Sequence, residues 1–123
     1  MTTTYSTDND IKSIFGLANW NTWTDLDNTQ NGTSMTARSD AARVRAYREI
    51  NSRLRPTHYR LPIISPSGAA PVEIEYLEAT LAGLFLLTAR GQEDAGPELA
   101  FWRDKSEKTF QDILAGTMRL DAL

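Results

Sequence analysis

The sequence predicts an all-α fold: a small bundle of about four helices with a long N-terminal loop and a short extended segment. Three observations carry this expectation. Apolar residues recur at three- and four-residue intervals in four separate stretches. Gly16, Pro56, Gly91 and Gly116 close those stretches, where helices ordinarily stop. Residues 17–35, rich in Asn, Thr, Asp and Gly, show no helical period. A chain of 123 residues is one domain's worth, spanning 1–123. It can bury about two-thirds of the surface exposed by its unfolded form, enough for one core.

The first helix is placed over residues 7–15. Thr7 with Asp10 three positions on forms an N-terminal capping pattern, and Ile11, Ile14 and Phe15 follow at helical spacing up to Gly16. Residues 17–35 are taken as a long loop, with Asn31-Gly32 as a tight-turn signal. The second helix is placed over 36–55, with Thr36 as its cap and Ser39 and Asp40 in its first turn. Ala42, Ala46, Ile50 and Leu54 fall on one side, and Pro56 ends it. Residues 58–64 read as extended, and Ser65-Pro66-Ser67-Gly68 as a loop. The third helix covers 72–90. Ile74, Leu77, Leu81, Leu84 and Phe85 lie within an arc of ~100°, and Leu86 and Leu87 widen it, which predicts a central helix. The fourth begins near Gly96-Pro97-Glu98, with Leu99, Trp102, Phe110, Ile113 and Leu114 on one face.

Composition removes several function classes. The net charge is −3, so no global basic excess favours non-specific nucleic-acid binding. Cysteine is absent, which excludes disulfides, thiolate chemistry and cysteine-ligated zinc. The polar N-terminus, Met1-Thr2-Thr3-Thr4, lacks the order of a signal peptide. The apolar run Leu81–Leu87 is too short to span a bilayer, so no membrane role is expected.

No catalytic residue, metal ligand or cofactor site is expected. His58 is the only histidine and stands outside any nucleophile motif. Asp25, Asp27 and Asn28 suggest a calcium loop, but the sixth position is Gln30 and the twelfth Thr36, where Gly and Glu are needed. Three features point to binding instead. Arg38, Arg45, Arg48 and Arg55 share one helical face, suited to an interface with acidic partners or to DNA phosphates. The bland alternative is a solvated face balanced by Glu73, Glu75 and Glu78. Trp20 and Trp23 are either partner anchors or lids folded onto the core. Met118, Leu120 and Leu123 lie in a C-terminal tail that either frays or docks into a neighbour.

Taken together, three stretches resemble the small head–tail connector (adaptor, or head completion) proteins of tailed bacteriophages. Tyr5-Ser6-Thr7, then Asp10-Ile11 and Phe15-Gly16, is similar to that family's opening helix and glycine stop. Trp23-Thr24-Asp25 resembles its short Leu-Thr-Asp segment. Ile50-Asn51-Ser52-x-Leu54 followed by Tyr59-Arg60-Leu61-Pro62 is similar to its second helix running into an Arg-Tyr-x-Leu-Pro turn. Ile113-x-x-Gly116-x-x-x-Leu120 is similar to its closing helix. His58 stands where the family has an arginine, and 17–35 is longer than the family's segment.

The resemblance implies a neck protein of the virion, assembled in the host cytoplasm. Such proteins form a homo-oligomeric ring, typically of twelve copies, on the portal protein around the DNA exit channel. The other side of the ring receives a downstream neck or tail-terminator protein. A ring needs two different complementary sides on each subunit. The arginine face against Asp8, Asp10, Glu73 and Glu75 is the expected pair, and the tail is the expected portal-docking element. The rival expectation is a small helical DNA-binding regulator using helix 36–55. Against it, residues 56–71, with Pro62, Pro66 and Pro71, are too long for the turn of a helix-turn-helix.

Overall fold

The computed structural model describes residues 4–25, 31–57, 59, 61–64, 69–89, 97–116 and 120. Among them are five helices: α1 (Asp8–Phe15), α2 (Leu17–Thr24), α3 (Gly32–Arg53), α4 (Val72–Ala89) and α5 (Pro97–Leu114). The all-α expectation holds, as does the small-bundle architecture.

α4 is the centre. It packs against each of the other four helices, as its nearly all-round apolar surface requires. Its late residues Ala79, Ala82 and Leu86 join Ile11, Trp20, Trp23, Met35 and Ala42 in one cluster. Its early residues Ile74 and Leu77 join Ile50, Leu54, Phe110 and Ile113 in another. The start of α3 therefore meets the end of α4, and the two run antiparallel.

Two boundaries differ from expectation, both for tertiary reasons. Residues 17–24 are helical. Gly16, at φ +96°, ends α1 and starts α2, donating its N–H to the Lys12 carbonyl and accepting from the Trp20 N–H. The segment is a poor helix former by composition, but Trp20, Trp23 and Thr24 are buried together, and that burial outweighs propensity. α3 starts a turn before Thr36. Asn31 caps it, its Oδ1 accepting from the Thr33 and Ser34 N–H groups at 3.0 and 3.3 Å. The extra turn buries Met35. Asn31-Gly32 is thus a cap rather than a hairpin-type turn.

α1 and α4 come exceptionally close. Gly83 presents bare backbone to the Phe15 ring, and a Cβ there would lie inside van der Waals contact. The Phe15 ring in turn meets Trp23 and Trp102 edge-on, with centroids 5.2 Å away in each case. On α5, Phe110 and Ile113 are buried as expected, but Leu114 is 40% exposed and leaves the core face. Tyr59 and Ile63 are buried, and the described part of 58–64 forms no strand.

Candidate functional site

The four arginines singled out in the sequence do not form one free face. The Arg38 guanidinium donates to the Thr24 carbonyl at 2.8 Å, closing α2 onto α3. The Arg45 guanidinium lies over the Phe85 ring, 4.0 Å from its centroid, while the residue remains exposed. Arg48 is exposed beside Ala41 and Val44 in a shallow groove of about 470 Å³ on the outer side of α3. Arg55 falls past the end of α3 and is also exposed. Arg45 and Arg48 are therefore the pair presented together.

The arginines that do pair are others. Arg43 is the hub of a partly buried network. It donates to Asp8 Oδ1 at 3.0 Å, to the Thr4 hydroxyl and Ser6 carbonyl at 2.8 Å each, and to Asp40. Asp8 also accepts from the Ser39 hydroxyl at 2.6 Å, and Ser39 accepts from the Trp20 indole N–H at 3.0 Å. Arg53 makes a two-pronged bridge to Glu107, 2.6 Å on each prong, and stacks on Phe110. That bridge pulls the Glu107 carboxyl below its ordinary value.

Glu78 does not balance the arginine face. It points inward and is fully buried, its carboxylate accepting from the N–H groups of Tyr5 and Ser6 at 2.8 Å each, and from the Ser6 hydroxyl. Burial pushes its carboxyl above the ordinary range, against the pull of those hydrogen bonds and of Arg43. An acid amid the apolar run of α4 was the sequence signal for this role. Glu73 remains exposed and Glu75 partly so, and no ion pair joins either to α3 among the described residues. Asp8 is spent on Arg43. Asp10 is spent on the α1 cap, its Oδ2 accepting from the Thr7 N–H at 2.8 Å.

Trp20 and Trp23 are corrected from anchor candidates to core residues, 6% and 8% exposed. Trp20 has Lys12 over its ring and its N–H satisfied by Ser39, so the free chain presents neither indole to a partner. In the tail, Leu120 is buried, and its N–H donates to the Tyr59 hydroxyl at 2.8 Å. It packs on its own chain. Met118, Leu123 and His58 lie outside the described residues.

The residues behind the connector resemblance divide between the two clusters, Ile11, Phe15 and Trp23 in the first. Tyr5, Ile50, Leu54, Tyr59, Ile113 and Leu120 share one cluster. The Tyr5 hydroxyl donates to Asn51 Oδ1 and accepts from the Ile63 N–H at 2.8 Å. Burial pushes that phenol up to about 12.

No family model, curated protein or solved structure matches this chain. Among the described residues, no group of three His, Cys, Asp or Glu side chains is placed to hold a metal ion. No described helix is long and apolar enough to cross a membrane. A second groove, about 480 Å³, opens among α3, α4 and α5 over Leu84, Phe85 and Phe110, with Arg45 and Arg103 at its edge. Sequence reasoning missed Arg103 and Ser106 there, because neither belongs to a motif or a charge run.

Proposed function

We propose that this chain is a structural neck protein of a tailed bacteriophage. It forms a ring on the portal vertex and joins the DNA-filled head to the tail, acting by binding rather than by catalysis. One observation carries the reading. The three stretches that resemble head–tail connectors lie at the beginning, middle and end of the sequence, and Tyr5, Ile50, Leu54, Tyr59, Ile113 and Leu120 from them share one cluster with Ile74 and Leu77, while Ile11, Phe15 and Trp23 pack in the other. Two tyrosine hydroxyls tie them, Tyr5 to residues 51 and 63, and Tyr59 to residue 120. Contacts between these distant stretches are consistent with the order and spacing on which the resemblance rests. The exposed pair Arg45 and Arg48 and the outward acids Glu73 and Glu75 supply unlike surfaces for head-to-tail subunit contact.

The test is electron microscopy of the purified chain mixed with the portal protein of its phage, with the chain alone as control. The expected result is ring density on the outer end of the portal. A chain that stays monomeric and leaves the portal bare overturns the proposal.

A further inference from the structure

Three large apolar side chains stay open on one edge of the bundle: Val72 is 74% exposed, Phe101 57% and Tyr76 38%. Val72 precedes Tyr76 by one turn of α4, so the two share a face. Lys105 joins Tyr76 to Phe101. Its ammonium lies 5.0 Å from the Tyr76 ring centroid and 5.9 Å from that of Phe101, and it donates to the Tyr76 hydroxyl at 3.0 Å. Even beneath that ammonium, both rings remain open to solvent. Glu73 and Glu75 stand in the same first turn of α4 as Val72. Neither acid is in an ion pair with Lys105 among the described residues. Single exposed apolar residues are ordinary, whereas a contiguous group rimmed by charge marks a contact surface.

The groove on the outer side of α3 has the complementary make-up. Ala41 is exposed and Val44 half-buried, which gives it an open apolar floor. Arg45, Arg48 and Glu49 rim it, all exposed, and none forms an ion pair among the described residues. The groove thus carries two guanidiniums and one carboxylate, and the edge two carboxylates and one ammonium. The surplus arginine charge has its counterpart in Glu73 and Glu75, and Glu49 has its own in Lys105. The groove belongs to α3, the edge to α4 and α5, and they share no residue. One copy can therefore seat its edge in a second copy while its own groove stays free, the head-to-tail contact from which rings are built.

We propose that the edge of Val72, Tyr76 and Phe101 seats in the α3 groove of a second copy of this chain. Val72 covers Ala41 and Val44. The acids at the start of α4 meet Arg45 and Arg48, and Lys105 meets Glu49. The inference rests on the ring reading above and names the apolar contact that closes it.

The test is sedimentation velocity of the full chain over a concentration series into the millimolar range. The native chain should self-associate. Val72→Ser, at an exposed position, should stay folded by circular dichroism and associate at least about tenfold more weakly, as expected when one buried valine contact is lost. Glu49→Lys and Lys105→Glu should each weaken association severalfold, and the two together should restore it. A native chain that stays monomeric, a Val72→Ser chain that associates as the native one does, or a double reversal no better than either single one overturns the proposal. Electron microscopy with the portal protein separates the two readings. If Val72→Ser still forms native rings on the portal, this contact falls and the neck reading stands. If the native chain associates through this contact yet leaves the portal bare, the contact stands and the neck reading falls.

Discussion

Arg43 and Arg53 sit on the same helix and both make ion pairs, yet they should differ in energetic weight. The Arg43 side chain is 13% exposed and serves Asp8, Asp40, Thr4 and the Ser6 carbonyl. Removing it strands several part-buried polar groups. Arg43→Ala should cost about 3 kcal/mol, the lower end of the range for breaking a buried pair from one side. Arg53 is bridged to a carboxylate that is 53% exposed, so solvent screens the pair. Arg53→Ala should cost under about 1 kcal/mol. Urea denaturation of the two variants decides it, and equal losses would show that Arg43 is not the fastening of the N-terminal segment. Glu78 gives a pH signature at the same scale. Burial raises its folded value above the ordinary 4.5. The folded state therefore holds this proton more tightly than the unfolded state. The contribution is fully present below pH 4.5, the ordinary value, and is lost as pH rises through the raised folded value. In Glu78→Gln, melting temperature against pH should lose that downward component above 4.5. A variant that falls with pH as steeply as the native chain would place the effect on another group.

Among the elements, the α1–α4 crossing is the least tolerant of added volume. Gly83→Ala ordinarily gains about 0.5–1 kcal/mol in a helix. Here the new methyl group meets the Phe15 ring, which Trp23 and Trp102 hold from two sides. Overpacking of this kind costs about 1–3 kcal/mol, so the net change should be a lower melting temperature. Phe15→Leu in the same chain should recover part of the loss, and failure to recover would place the clash elsewhere. This crossing also marks the limit of what the sequence revealed. Ile11 and Ile50 announced their faces by spacing, and α1, α3, α4 and α5 were legible for that reason. α2 was not. Its helix depends on two indoles packed in the core with α3 and α4 residues and on the Thr24 carbonyl held by Arg38, contacts between distant residues that leave no period in a segment of eight. The arginine face was half legible for a similar reason. Helical geometry aligned Arg38 with Arg45 and Arg48, but only the position of α2 shows that Arg38 is engaged by Thr24.

For the whole molecule, the neck proposal narrows to a specific contact between copies. Of the four acids first matched to the arginine helix, Asp8 and Asp10 are used within the chain, which leaves Glu73 and Glu75 at the start of α4. A ring closed by head-to-tail contacts should therefore set Arg45 and Arg48 of one subunit against Glu73 and Glu75 of the next. Neither arginine makes an ion pair within its own chain among the described residues, so reversing both removes no internal bridge. Arg45→Glu with Arg48→Glu should leave a folded monomer by circular dichroism and abolish rings in sedimentation velocity. Restoring opposite charge with Glu73→Arg and Glu75→Arg in the same chain should bring the rings back. Normal rings from the double reversal would sink this contact while leaving the portal test open. Truncating residues 117–123 is the weaker experiment. It also strips Leu120 from the cluster that joins the three distant stretches, so loss of portal binding would report lost packing as readily as a lost docking tail. Charge reversal with rescue separates assembly from folding: reversal costs the chain only the stacking of Arg45 on Phe85, which the rescue substitutions do not restore, so rings that return report the charge pairing alone.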